Sequence, residues 1–341
     1  MATIIENCIK KIILDNGYIT IDHFLSLVIP FYYNNNNSLG RAGDFITAPE
    51  ASQLFGEMIG LYAANYWLEN SNKKVSLVEL GPGNGYLMSD FLRATSHIKN
   101  FHESIDEIVL YEVSLKLKNA QQNNLNKYLD RCIWFDRFDE LEEYTRDRHC
   151  IFIANEFFDA LPMKQFQFIN GDCYEVCVIL DKLEKFDTKP LLKIQTDFTD
   201  RDGIFEYSPQ SESYLNVIID SIKSNNGLLL LIDYGHEDLL NISTLQAIQA
   251  HKKINFLEHI GAADITYLVN FPWMQNYLMK NSMTNELMFQ KDFLELCGIK
   301  KRSEYLVNKY GADKKNIESQ LKILLSPEKM GELFKVLIVK N

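Results

Sequence analysis

Residues Val78–Met88 read VELGPGNGYLM, and the glycines at 81, 83 and 85 are the point from which the fold can be read. A dinucleotide fingerprint, G-x-G-x-x-G, would need its third glycine at position 86, which is Tyr86. The spacing is instead G-x-G-x-G, with Glu79 two residues ahead of the first glycine. A carboxylate there repels a pyrophosphate but suits a ligand carrying an ammonium or a sulfonium cation. S-adenosylmethionine carries both. The motif alone leaves three readings open: a loop for that cofactor, a nucleotide-phosphate loop, and an ordinary glycine-rich turn.

Working outward, VSLVEL at 75–80, EIVLYEV at 107–113, CIFIA at 150–154 and LLLLID at 228–233 are continuous apolar runs ending in polar residues. They lack the alternation of a half-exposed strand, so they read as strands covered on both faces. Leu87–Ile98 opens a helix directly after the glycine loop. Tyr214–Ile222 carries one apolar helical face before the Asn-Asn-Gly stop at 225–227. Strand and helix alternating in this way predict an α/β fold, a doubly wound, mostly parallel sheet with helices on both faces. Ligands of such sheets bind beyond the carboxyl ends of the strands. That rule selects Gly81, Pro82, Gly83 and Gly85, then Glu112, then Asn155, Glu156 and Asp159, and finally Asp233 with Tyr234. Glu112 is placed to accept hydrogen bonds from a ribose diol.

A chain of 341 residues, 46% hydrophobic and 24% charged, has ample material for a globular core. Its formal net charge of -11 argues against nucleic acid as a partner and favours a cationic protein or peptide. The six cysteines fit no zinc spacing, no metal is expected, and they read as buried thiols of a reducing compartment. The opening MATIIENCIKKIILDNG places apolar groups at 4, 5, 8, 9, 12 and 13, a helical spacing with acids included. It matches neither a secretory signal nor a basic transit sequence. Apolar runs such as LLLLI fall far short of the ~20 residues of a membrane helix. A cytoplasmic setting without membrane insertion is the expectation, Asn34–Asn37 reads as a loop, and the oligomeric state is left open.

Seven stretches carry a resemblance: GDFITAPE at 43–50, FGE at 55–57, VELGPGNG at 78–85, NEFFDALP at 155–162, IDYG at 232–235, DIT at 264–266 and MGELFKVL at 330–337. With them the chain resembles the MidA-like family, the mitochondrial complex I assembly arginine methyltransferases and their bacterial relatives. The resemblance implies a class I methyltransferase fold, S-adenosyl-L-methionine as cofactor and S-adenosyl-L-homocysteine as product. It further implies methylation of an arginine in a protein substrate to symmetric dimethylarginine, with a subunit of respiratory NADH dehydrogenase as client. Two other readings stay open, a cofactor-binding assembly factor with little turnover and a methyltransferase for a small molecule. The chain departs from the family at Asn84 and Tyr86, where Arg or Thr and then Thr are usual, and at Asn270, where Asp is usual.

Within that frame residues 1–70 read as an N-terminal helical extension with a cofactor-covering loop, and 71–341 as the methyltransferase domain. Insertions are expected at about 163–207, from the alternating QFQFI, CYEVCVIL, KIQTDF and IFEYS, and at about 240–290. Insertions over a cofactor pocket shape a substrate site or are simply tolerated.

Arginine sets the chemical problem. Removing its proton before attack at pH 7 costs roughly 7–9 kcal/mol at about 1.36 kcal/mol per pKa unit. Carboxylates that grip the guanidinium orient it and accept the proton as the C–N bond forms. Glu156 and Asp159, with Asp233, are the candidate catalytic groups. Glu79, Gly81, Pro82, Gly83, Gly85, Glu112 and Asn155 are the candidate cofactor set, joined by Asp44 and Thr47 from a loop that Pro49 ends by starting a helix. Phe157 and Phe158 are candidates to stack on the guanidinium. The plainer alternative has Glu156 capping a helix, Asp159 bonding loop amides and both phenylalanines filling the core. His251 stays outside the candidate set.

Overall fold

The apolar runs become neighbouring strands of one sheet. Its members are β1 (Val75–Leu80), β2 (Ile105–Tyr111), β3 (Cys132–Phe135), β4 (Cys150–Asn155), β5 (Leu228–His236), β6 (Thr284–Phe289) and β7 (Phe334–Lys340). In the computed structural model, which describes residues 4–35, 47–70, 73–195, 202–238, 240–249 and 252–341, they lie in the order β6-β7-β5-β4-β1-β2-β3. β7 runs antiparallel to both its neighbours, and the remaining pairings are parallel. A short strand, Val269–Asn270, adds parallel to the end of β5. Strand order reverses between β1 and β4, so the glycine loop after one and NEFFDALP after the other flank the switch point, where α/β sheets bind ligands.

Every residue of β1 and of β4 is buried. Val75 and Leu77 belong to one core layer, Val78 and Leu80 to the other, as the twofold period of a strand dictates. On the first face lie helices Gln53–Asn70, Tyr86–Thr95 and Ile299–Tyr310. A Cβ at Gly56 would sit 2.7 Å from the carbonyl oxygen of Leu87 and 2.9 Å from Asp90 Cβ, so the glycine lets the first helix close on the one that follows the glycine loop. The next residue of the FGE motif, Glu57, is fully buried and accepts from Arg93 Nη1 at 2.7 Å and Arg302 Nε at 2.6 Å. That shared carboxylate ties all three helices together, and removing it would leave two guanidinium groups without their buried partner. Helices Pro209–Asn225 and Phe271–Lys280 cover the opposite face. Asn270 caps the latter by accepting from the amide of Trp273 at 3.1 Å. The departure from the family's Asp at this position is therefore compatible with a cap, which either residue makes.

A second core lies outside this sheet. Helices Ile4–Asn16 and Ile21–Asn35 pack through Ile9, Ile13, Phe24 and Val28 against Val176 and Val178 of an antiparallel sheet, and against Ala247 and Ile265 of a three-stranded one. The antiparallel sheet is built from Lys164–Ile169, Asp172–Leu180, Phe186–Ile194 and Gly203–Tyr207, with Ile19–Thr20 as a short edge. The three-stranded sheet joins Lys252–Ile254, Gln246–Gln249 and Asp264–Thr266. The N-terminal helices and both inserted stretches thus share one apolar core. β6, inside the stretch read as a second insertion, is a strand of the central sheet.

Of the cysteines, Cys150, Cys173 and Cys177 are buried as expected, whereas Cys8 is exposed and Cys132 and Cys297 are half-buried. Among the described residues no helix is long and apolar enough to cross a membrane. Asn34 and Asn35, expected in a loop, instead end helix Ile21–Asn35, while Asp44 and the rest of 43–46, Asn36, Asn37 and His251 lie outside the described residues.

Candidate functional site

A cavity of about 800 Å³ lies at the carboxyl ends of β1, β2, β4 and β5. The central sheet forms one wall, and the other comes from Ile29, Pro30 and Tyr33 of the second helix together with Gln246, Asp264 and Thr266 of the three-stranded sheet. Of the residues selected from sequence, Thr47, Glu79, Gly81, Pro82, Gly83, Glu112, Asn155, Glu156 and Asp159 all line it. Gly85 and Asp233 do not. Gly85, at φ 81, is the N-cap of helix Tyr86–Thr95 and backs onto Gln121. Asp233 is fully buried, and its Oδ2 accepts from the amides of Phe158 at 3.0 Å and Asp159 at 3.2 Å. Its Oδ1 accepts from the amide of Tyr234 at 2.9 Å, so both oxygens are engaged by backbone away from the cavity wall. This corrects the expectation for Asp233: it anchors NEFFDALP from behind.

The glycine loop is held by side chains that sequence reading passed over. Gln121 donates to the carbonyl oxygen of Gly83 at 2.8 Å and to Glu112 Oε2 at 3.1 Å, while Trp134 Nε1 donates to Gln121 Oε1 at 2.8 Å. Glu112 Oε1 takes the amide of Ser114 at 2.8 Å, which fixes the carboxylate at the end of β2. Asn84 donates to Glu50 Oε1 at 2.8 Å and so bridges the loop to the short helix Ala48–Ala51. The family departure at position 84 therefore adds a tether. No local pattern marks Gln121, because its helix position means something only once the helix has docked.

NEFFDALP leaves β4 through Glu156, a non-glycine residue at φ 51. Such a backbone costs about 1 kcal/mol or more and persists where the surroundings overdetermine it. Here the amide of Glu156 donates to the carbonyl oxygen of Ile232 at 2.9 Å, and its Oε1 accepts from Asn155 Nδ2 at 3.2 Å and from the amide of Ala48 at 3.4 Å. Phe157 lies against Gly81, where a Cβ would come within 2.8 Å of Phe157 Cδ2, so the two loops are in direct contact. Phe157 lines the cavity, whereas Phe158 is fully buried as a core residue. Asp159 follows in a turn of 3-10 helix, 5% exposed.

Acid dominates the electrostatics. Burial, and then Glu112, push the Glu79 carboxyl up to about 8. Burial pushes Glu156 up to about 7, with Glu50 and Asp264 adding to it against the hydrogen bonds from Asn155 and Ala48. Asp159 is held well above the ordinary carboxylate range by burial and by its neighbours Asp233, Glu156 and Asp264. Glu79 Oε2, Asn155 Oδ1 and Asp159 Oδ1 are buried and have no hydrogen-bond partner among the described residues. Acceptors in this state suit a ligand that brings N–H donors and positive charge. Among the described residues no group of three or more His, Cys, Asp or Glu side chains could hold a metal ion.

A stability prediction follows from Glu79 and Glu156. Because their folded pKa values exceed the ordinary carboxyl value of 4.5, the folded protein binds more protons than the unfolded chain above that pH. Their favourable contribution is complete below about 4.5 and is lost as pH rises through about 7 and 8. In the ligand-free protein a Glu79→Gln, Glu156→Gln double variant should therefore gain on the wild type by a few kcal/mol between pH 5 and 8.5, at about 1.36 kcal/mol per pKa unit. Denaturant unfolding at both pH values measures this. A gap that stays constant would show that the two carboxyls are not desolvated.

A glycine loop and a strand-end acid at the switch point of a sheet of seven main strands and one short one, with a single antiparallel member, define a class I methyltransferase. Residues 58–289 match the family described as "Putative S-adenosyl-L-methionine-dependent methyltransferase". The chain belongs to that family, the MidA-like methyltransferases, and its cofactor is S-adenosyl-L-methionine. Among curated relatives, "Protein arginine methyltransferase NDUFAF7, mitochondrial" of Danio rerio is 32% identical over 99% of this chain and 87% of its own length. The NDUFAF7 homologue of Caenorhabditis elegans is 30% identical over 88% of this chain and 79% of its own. A protein from Burkholderia thailandensis described as a "likely methyl transferase", solved with S-adenosyl-homocysteine bound, shares the fold with a TM-score of 0.86 at 20% identity, covering 99% of this chain and 92% of that one. The relatives are mitochondrial by name, which overturns the expectation of a cytoplasmic setting.

Proposed function

We propose that the protein transfers a methyl group to a terminal nitrogen of an arginine in a protein client, and that the client is a subunit of respiratory NADH dehydrogenase not yet assembled. The observation that carries this reading is the pair on the cavity wall, half-buried Glu156 and buried Asp159, whose carboxyls are raised first by desolvation and further by the acids around them, with Asp159 Oδ1 lacking a hydrogen-bond partner among the described residues. A planar cation with several N–H donors is the acceptor that relieves both conditions. The relatives named as protein arginine methyltransferases support the same acceptor, and their mitochondrial names support the same compartment. Symmetric dimethylarginine is the product we assign.

Roles follow from position. Glu79, the backbone of Gly81, Pro82 and Gly83, and Asn155 would hold the amino acid end of the cofactor, Glu112 its ribose, and Thr47 would cover it. Gly85 starts the helix behind the loop. When bound, S-adenosyl-L-methionine supplies an electrophilic methyl group. Glu156 and Asp159 draw the guanidinium charge toward the nitrogens they hold, orient the remaining one, and accept the proton released as the C–N bond forms. A carboxyl near 7 can both hold and release that proton at neutral pH. We divide the chain at about residue 70, with Ile29, Pro30, Tyr33 and Thr47 of the preceding segment closing the site and its last helix, Gln53–Asn70, packed on the methyltransferase sheet.

The test is mass-spectrometric detection of methyl transfer to NADH dehydrogenase subunits, presented free and as the assembled complex. Free subunit should be labelled at arginine, the assembled complex should not, and an arginine-to-lysine client should take no label, since an ammonium lacks the planar fork. Equal labelling of both forms, or transfer to the lysine client, refutes this account. Client binding without label would leave a holding factor as the function.

A further inference from the structure

Asp264 and Tyr33 stand on the wall that faces the NEFFDALP carboxylates, contributed by elements outside the central sheet. Tyr33 belongs to helix Ile21–Asn35, and its hydroxyl donates to Asp264 Oδ1 at 3.3 Å. Asp264 opens the strand Asp264–Thr266, is 9% exposed, and lies close enough to both Glu156 and Asp159 to raise the cost of charging either. Two strand positions on, Thr266 accepts from the Tyr234 hydroxyl, which links this wall to the end of β5. A cluster of carboxyls alone would say little. The independent sign of a ligand is Asp159 Oδ1, on a side chain more than nine-tenths buried, lining the cavity and without a hydrogen-bond partner among the described residues.

We propose that the acceptor arginine is held by a three-sided clamp in which Asp264 opposes Glu156 and Asp159, with Tyr33 as the positioning residue that sets Asp264. The inference rests on the arginine reading above and deepens it. An arginine guanidinium carries five N–H donors, two on each of two edges and one on the third beside the alkyl stem, so two carboxylates on one loop leave that last edge unserved. A third carboxylate on the opposite wall serves that edge and fixes the plane. Tyr33 keeps its proton, because burial and the acids around it raise its phenol well above the ordinary value, and it therefore acts as a donor to Asp264. The consequence is that the N-terminal helices are part of the acceptor subsite.

The experiment uses the full chain saturated with S-adenosylhomocysteine and two unstructured peptides, one bearing a single arginine and one bearing citrulline, its uncharged counterpart, in the same place. Calorimetry should show the wild type preferring the arginine peptide. Asp264→Asn should weaken arginine binding by about 30-fold or more, as for truncation of one partner of a buried charge pair, and collapse the preference over citrulline. Tyr33→Phe should weaken it by about 3- to 10-fold, the scale of one neutral hydrogen bond, and in turnover raise KM more than it lowers kcat. Affinity for S-adenosylhomocysteine should be unchanged in both, which shows that the variants fold. A wild type that does not distinguish the peptides overturns the arginine reading and the clamp with it. A wild type that distinguishes them while both variants do so equally well overturns the clamp alone.

Discussion

Glu156→Gln is expected to lower kcat/KM for the arginine client by about 10²- to 10³-fold while leaving cofactor affinity within a few-fold of the wild type. The substitution preserves shape, and the amide still reaches Asn155 and the backbone of Ala48, so the loop should keep its path. What disappears is the charge that pairs with the guanidinium and the site that takes its proton. Losing one member of a buried charge pair costs about 2–5 kcal/mol, which spans this range. The wild-type pH profile carries a second signature. With Glu156 near 7, kcat/KM should rise as pH increases through about 7 and then level, because only the ionised form grips the cation. Stopped-time methylation assays across pH 5.5 to 8.5 and calorimetry with S-adenosylhomocysteine check both points. A variant that loses cofactor affinity but turns over normally at saturation would reassign Glu156 to the cofactor.

Gly83→Val should lose at least about 100-fold in affinity for S-adenosylmethionine and S-adenosylhomocysteine. Gly83 sits at φ 53, a backbone that costs a side-chain-bearing residue about 1–2 kcal/mol and a β-branched one more. Its carbonyl is also the one that Gln121 holds, so a shift of the backbone loosens the side chain that orients Glu112. The new methyl groups would occupy cavity space beside the loop, where the cofactor's close backbone approach is required. The backbone cost falls on the folded protein with or without ligand, whereas the filled cavity space falls on binding alone. Calorimetry with S-adenosylhomocysteine reads the loss directly. Unchanged affinity would remove the loop from the cofactor site.

Which parts of the site the sequence by itself determined is clear from these residues. Apolar runs covered on both faces marked β1, β2, β4 and β5, since burial on two sides is a local demand on composition. The glycines at 81, 83 and 85 marked the loop, because all three take positive φ, and that demand too is local. Carboxylates at strand ends marked Glu79, Glu112, Glu156 and Asp159, because a parallel sheet sends its carboxyl ends to one side. The short β3, β6 inside the stretch read as the second insertion, and β7 beyond it carried no comparable signal of where they join the sheet. Only the tertiary structure separated Asp159, on the wall, from Asp233, bound by amides behind it, although both are acids at strand ends. Only docking brought Gln121 to Gly83, and Tyr33 to a carboxylate 231 residues away. Periodicity and backbone conformation are written in neighbouring residues, whereas the direction a buried acid faces depends on which distant elements have closed around it.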